Sequence, residues 1–149
     1  MNKKNILVGQ SGGPTAVINA SLYGAVKAFK ESGTDGHVLG MINGIEGFLA
    51  DHVMDLSTDL SDEELELLKL TPAAYLGSCR YKLPADLESE VYPAIFDNFR
   101  EMNIGYFLYV GGNDSMDTVD KLSRYAEKIG SDVKFIGIPK TIDNDLVLT

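Results

Sequence analysis

Tyr106-Phe107-Leu108-Tyr109-Val110-Gly111-Gly112-Asn113-Asp114-Ser115 is the stretch that decides the fold. Its first half, aromatic and aliphatic, has the composition of a strand, and it runs straight into a glycine-rich polar turn. Downstream, Thr118 to Ile129 reads as a helix closed by Gly130. The apolar run Val133 to Ile138 then reads as a buried strand. That strand delivers a second polar cluster, Gly137-Ile138-Pro139-Lys140-Thr141-Ile142-Asp143-Asn144-Asp145. Strand, polar turn, helix and strand repeated in this way predict an α/β fold with a doubly wound, mostly parallel sheet. In such folds ligands bind at the C-terminal ends of the strands, where both clusters lie.

Upstream the alternation continues. Ile6-Leu7-Val8 within Asn5–Gly9 reads as a short buried strand, followed by the turn Gln10-Ser11-Gly12-Gly13-Pro14-Thr15. Ala16 to Lys30 is expected to be helical, with Val17, Ala20, Tyr23, Gly24 and Ala28 at helical spacing. A strand from His37 to Ile42 ends in glycine-rich sequence and completes a βαβ unit, whose crossover should be right-handed. Ser61-Asp62-Glu63-Glu64 before Leu65 has the form of a capping box. Ala73 to Ser78 is read as a short strand leading into Cys79-Arg80. Leu87, Val91, Ile95, Phe99 and Met102 form a helical stripe that belongs to the core; Pro93 should kink that helix or mark a late start.

Composition narrows the function. The chain has 149 residues, the length of one domain, with 44% apolar and 23% charged residues. Its net charge of −9 comes with no Lys/Arg cluster, which argues against a nucleic-acid partner. No apolar run reaches the roughly 20 residues that span a bilayer, and the N-terminus lacks the pattern of a secretory signal. The only cysteine, Cys79, allows no internal disulfide and suits a reducing cytoplasm.

An acidic chain that handles phosphate must do so locally, through backbone amides, a few cations and a divalent metal. Ser11-Gly12-Gly13, Gly111 to Ser115 and the terminal cluster are three polar turns of this kind, two of them glycine-rich. Glycines let the backbone approach an anion, and amides at a following helix start donate to it. None is a Walker A loop, and no Gly-x-Gly-x-x-Gly follows the first strand. Asp143 and Asp145, beside Lys140 and Thr141, suit a proton acceptor next to a bound phosphate. Asn113 and Asp114 offer oxygens of the type magnesium takes. Arg80 serves equally as a phosphate fork or a surface ion pair. His37 and His52 lack metal-ligand spacing, and Cys79 has no histidine partner in sequence.

Together Ser11-Gly-Gly-Pro14, Asn19-Ala20, Tyr75-Leu-Gly-Ser-Cys-Arg80, Gly111-Gly-Asn-Asp-Ser115 and Pro139-Lys-Thr-Ile-Asp-Asn-Asp145 resemble the phosphofructokinase family, in its order and across nearly the whole chain. The resemblance implies magnesium-dependent phosphorylation of the 1-hydroxyl of fructose 6-phosphate in glycolysis. Asp143 matches the general base, with Thr141 and Asp145 beside it in the sugar and phosphoryl site. Gly12 and Gly13 with Gly112 and Ser115 match donor-phosphate loops, and Arg80 matches a donor-contacting arginine. Asp114 and Lys140 match the diphosphate-dependent members, where an aspartate obstructs the nucleotide α-phosphate and a lysine holds diphosphate. ATP-using bacterial members have glycine at both positions. Asn113 departs from the aspartate that helps hold magnesium in many members: it keeps an acceptor oxygen but loses a charge. The family also implies a homo-oligomer, and members much longer than this chain. Residues 1–149 are thus expected to be part of an amino-terminal, phosphate-donor domain, inactive without the sugar-binding remainder. An ATP-dependent enzyme and a non-catalytic phosphate-sensing domain are the competing readings.

Overall fold

The computed structural model describes residues 4–140, so Thr141, Asp143 and Asp145 lie outside the described residues. Five strands form one sheet in the order β3-β2-β1-β4-β5. Strands β1 (Asn5–Gln10), β2 (Val38–Met41), β4 (Ile104–Gly111) and β5 (Lys134–Pro139) run parallel, and only β3 (Val53–Asp55) is antiparallel. This is the expected doubly wound α/β architecture.

The period-two alternation of a strand divides the core between two faces. On one face Leu7, Met41, Phe107 and Tyr109 pack against α2 (Gly44–Leu49), α4 (Val91–Glu101) and α5 (Asn113–Ile129). On the other, Val8 and Val38 pack against α1 (Ala16–Glu31) and α3 (Asp62–Leu68). The first face is rich in rings: Phe99 lies 5.7 Å from Phe107 and 5.1 Å from Phe96. Each such side chain, fully buried, stabilises the fold by about 1.5–3 kcal/mol.

The step from β1 to β2 and the step from β4 to β5 move in opposite directions across the sheet. Their helices, α1 and α5, lie on opposite faces. Both crossovers therefore share one hand, as the twist of a parallel sheet demands. The direction reverses between β1 and β4, which puts the ligand crevice of such a sheet at the ends of these two strands.

Several expectations need correction. In α1 the buried face is Ile18, Asn19, Leu22, Val26 and Phe29, whereas Gly24 and Ala28 are exposed and Val17 is 55% exposed. Small residues at helical spacing imitated a stripe, but the larger Ile18, Leu22, Val26 and Phe29 fill the core. Ala73–Ser78 is no strand: Ala73 and Gly77 have φ of 67° and 72°, the geometry of turns. Helix α5 begins at Asn113 instead of Thr118, because Gly112 already serves as its N-cap and the loop is correspondingly tight. β5 is half exposed rather than buried, since it forms the border of the sheet among the described residues; Ile136 is 47% exposed. Helix α2 and strand β3 were not expected.

Other expectations hold. Helix α4 starts late, at Val91, so Pro93 sits in the first turn, where its missing N–H has no helical partner to lose. The capping box is present in α3: Ser61 Oγ accepts from the Glu64 amide at 3.2 Å, and Glu64 Oε2 accepts from the Ser61 amide at 2.9 Å. Among the described residues no helix is long and apolar enough to cross a membrane.

Candidate active site

The C-terminal ends of β1, β4 and β5 converge. The Ser11 amide donates to Val110 O at 2.9 Å, and the Lys140 amide donates to Gly111 O at 2.8 Å. These bonds carry the ladder one residue beyond the strands and hold the ends of the three strands side by side. Lys140 Nζ then crosses to donate to Gly13 O at 2.6 Å. Gly12, at φ 85°, turns so closely that a Cβ there would lie 3.5 Å from the Gly112 nitrogen. Two glycine loops and one lysine thus share a small exposed surface.

Helix α5 starts on this surface. Gly112 is its N-cap, and no side chain caps it among the described residues. Helix-start amides and the dipole of a seventeen-residue helix favour an anion at such a place. Asn113 and Asp114 are exposed in the first turn, whereas Ser115 is buried at 2% exposure beneath Gly111. The Asp114 carboxylate takes a salt bridge from Lys82 Nζ at 3.0 Å, which the sequence reading did not foresee. Among the described residues no cluster of three or more His, Cys, Asp or Glu could hold a metal. Magnesium needs only one or two protein oxygens beside substrate phosphates and water, and Asn113 with Asp114 supplies that donor type.

The fourth wall is the stretch from Thr71 to Lys82. Ser11 Oγ donates to Cys79 O at 3.0 Å, so the exposed Arg80 follows directly on an anchor to the β1 turn. Beneath it, Tyr109 is buried at the switch between strands. Burial pushes its phenol well above the ordinary range, although contact with Ser11 opposes the shift. Cys79 packs into this layer: a Cβ on Gly44 would lie 2.8 Å from its sulfur and 2.9 Å from the Tyr109 hydroxyl.

Gln10 and Asn19 are completely buried polar residues directly behind the β1 turn. Asn19 was visible in the sequence only as part of a motif, and Gln10 only as a turn residue. Of the expected site residues, Gly12, Gly13, Gly112, Asn113, Asp114, Ser115 and Lys140 come together, and Arg80 borders them.

The sequence model of the phosphofructokinase family matches residues 5–149. The pyrophosphate–fructose 6-phosphate 1-phosphotransferase of Halomonas elongata is 44% identical over all of this chain. The solved pyrophosphate-dependent phosphofructokinase of Marinobacter aquaeolei superposes with a TM-score of 0.85, at 44% identity over 98% of this chain. That of Nitrosospira multiformis gives 0.89, at 40% identity over 99% of this chain. This chain spans 36% of the length of each of the three. With the matching stretches spread over both glycine turns, the Arg80 turn and the β5 end, the chain belongs to the phosphofructokinase family.

Proposed function

We propose that this chain forms the phosphate-donor wall of an enzyme that transfers a phosphoryl group from inorganic diphosphate to the 1-hydroxyl of fructose 6-phosphate. The observation that carries the choice of donor is Asp114 in the first turn of α5, salt-bridged to Lys82, with Lys140 reaching to the Gly13 turn beside it. Diphosphate is compact and highly charged, and lysines close to the loops suit it. A nucleotide would extend a third phosphate toward the Asp114 carboxylate. Like charges brought together there would repel, with Lys82 and solvent screening part of the cost. The similar enzymes that use pyrophosphate support the same reading.

In this reading the amides of Gly12, Gly13 and Gly112, with the α5 start and Ser115, hold the donor phosphates. Arg80 and Lys140 neutralise them. Asp143 takes the proton of the sugar hydroxyl, with Thr141 and Asp145 orienting the acceptor. Asn113 and Asp114 would hold magnesium, which neutralises phosphate charge when bound. The setting is cytoplasmic and the complete enzyme a homo-oligomer.

The test is fructose 1,6-bisphosphate formation by the complete protein with diphosphate and ATP in parallel. Turnover with diphosphate alone is expected. The variant carrying Asp114→Gly and Lys140→Gly should lose diphosphate use and gain ATP use. Turnover of the unmodified enzyme with ATP alone would overturn the reading.

A further inference from the structure

We propose that Gln10 and Asn19 are positioning residues that hold the Arg80 turn against the donor phosphates. Resting on Arg80 as a donor contact, the inference extends to two residues that touch no substrate. The Thr71–Arg80 segment has no strand ladder, so its buried amides and carbonyls need other partners. Gln10 and Asn19 supply them. Gln10 Oε1 accepts from the Leu76 amide at 2.9 Å, and Asn19 Oδ1 accepts from the Tyr75 amide at 2.8 Å. Asn19 Nδ2 donates to Thr71 O at 2.8 Å. Gln10 Nε2 donates to Ile18 O and to Asn19 Oδ1, each at 3.0 Å, and so joins the two amides into one unit.

The placement matters as much as the number of bonds. Gln10, Ser11 and Gly12 are consecutive. Gln10 grips Leu76, Ser11 grips Cys79, and Gly12 faces the donor loops. The end of β1 thereby sets the position of the four residues from Leu76 to Cys79, and Arg80 is the next residue. A further bond, from the Asn43 amide to Leu76 O at 2.7 Å, fixes the same segment from the far side. A side chain needed only to fill space at position 19 could be apolar. This one satisfies three groups at once, and a half-broken buried network is costly.

The experiment is a double-mutant cycle in the complete protein, with Asn19→Ala and Arg80→Ala made singly and together. Asn19→Ala is expected to raise the KM for the phosphate donor by about tenfold, while the KM for fructose 6-phosphate stays within about twofold. In the Arg80→Ala background the same change should have almost no further effect on the donor. Where Arg80→Ala abolishes turnover, diphosphate binding by calorimetry supplies the same cycle. An equal loss in both backgrounds, or a parallel rise in both KM values, would overturn the proposal. If the enzyme uses ATP instead, the donor reading fails while the cycle, read on ATP, still decides this one. Should Asn19→Ala not fold, hydrogen exchange on the unmodified protein decides. Slow exchange of the Tyr75 and Leu76 amides, slowed further by diphosphate, supports the proposal; exchange at the rate of a free loop overturns it.

Discussion

Gly111→Ala tests whether the spacing between the β1 and β4 turns depends on a glycine. A Cβ at this position would overlap Ser115 Oγ and lie 2.7 Å from both Ser115 Cβ and the backbone oxygen of Ser11. The serine hydroxyl can rotate away, but Ser115 Cβ is fixed to the first turn of α5 and the Ser11 carbonyl is part of the turn that carries Gly12. Opening that contact from 2.7 Å to an ordinary 3.4 Å requires about 0.7 Å of movement between the β1 and β4 ends. Overpacking of this kind costs about 1–3 kcal/mol. A shift of this size in a positioning loop is expected to lower kcat/KM for the donor by roughly one to two orders of magnitude. Calorimetric unfolding and steady-state kinetics of the complete protein would measure the two effects. Unchanged stability together with unchanged donor kinetics would refute the reasoning, since the movement would then have been absorbed without cost.

Two further outcomes concern stability alone. Gly24 is exposed within α1 and a Cβ there meets nothing within 4 Å, so Gly24→Ala should stabilise the protein by about 0.5–1 kcal/mol, read as a higher urea midpoint. Partial burial tends to raise the Asp55 carboxyl, but bonds from the Ser57 hydroxyl and amide, from His37 and from Thr58 outweigh it and hold it below 3.8. A carboxylate lowered by folding adds stability above its unfolded value and loses it as pH falls through the folded one. Asp55→Asn should therefore flatten the loss of stability below about pH 4; an unchanged acid limb in urea titrations would exclude the idea.

Much of this was readable in the chain, and the failures have physical causes. Tyr106–Val110 and the Ser61 capping box are local signals, decided by residues adjacent in sequence, and both appear as expected. The face of α1 was misread because Ala20, Gly24 and Ala28 are small enough to suit either side. Only packing against α3 shows that Leu22 and Val26 point inward. Ala73–Ser78 has the composition of a strand, yet side-chain amides from β1 and α1 take its hydrogen bonds. Those partners lie more than fifty residues away in sequence. The meeting of the polar turns at the strand ends was legible because glycines and a helix start mark those turns in the sequence itself. Lys82 was not, because its role depends on which acid the fold brings beside it.

The central place of β1 has a consequence for synthesis. This strand is made before both of its neighbours, and one of them, β4, begins only at Ile104. After β2 is complete at Met41, the ribosome must add roughly sixty residues before β4 starts, which takes about 3–12 s at common elongation rates. Throughout that interval Ile6, Leu7 and Val8 present an unpaired edge and an unfilled face, the form of strand most prone to pair with another chain. Nascent copies that stall in this window carry the hazard, and chaperone demand should peak there rather than after α4 and α5 have closed over Phe107.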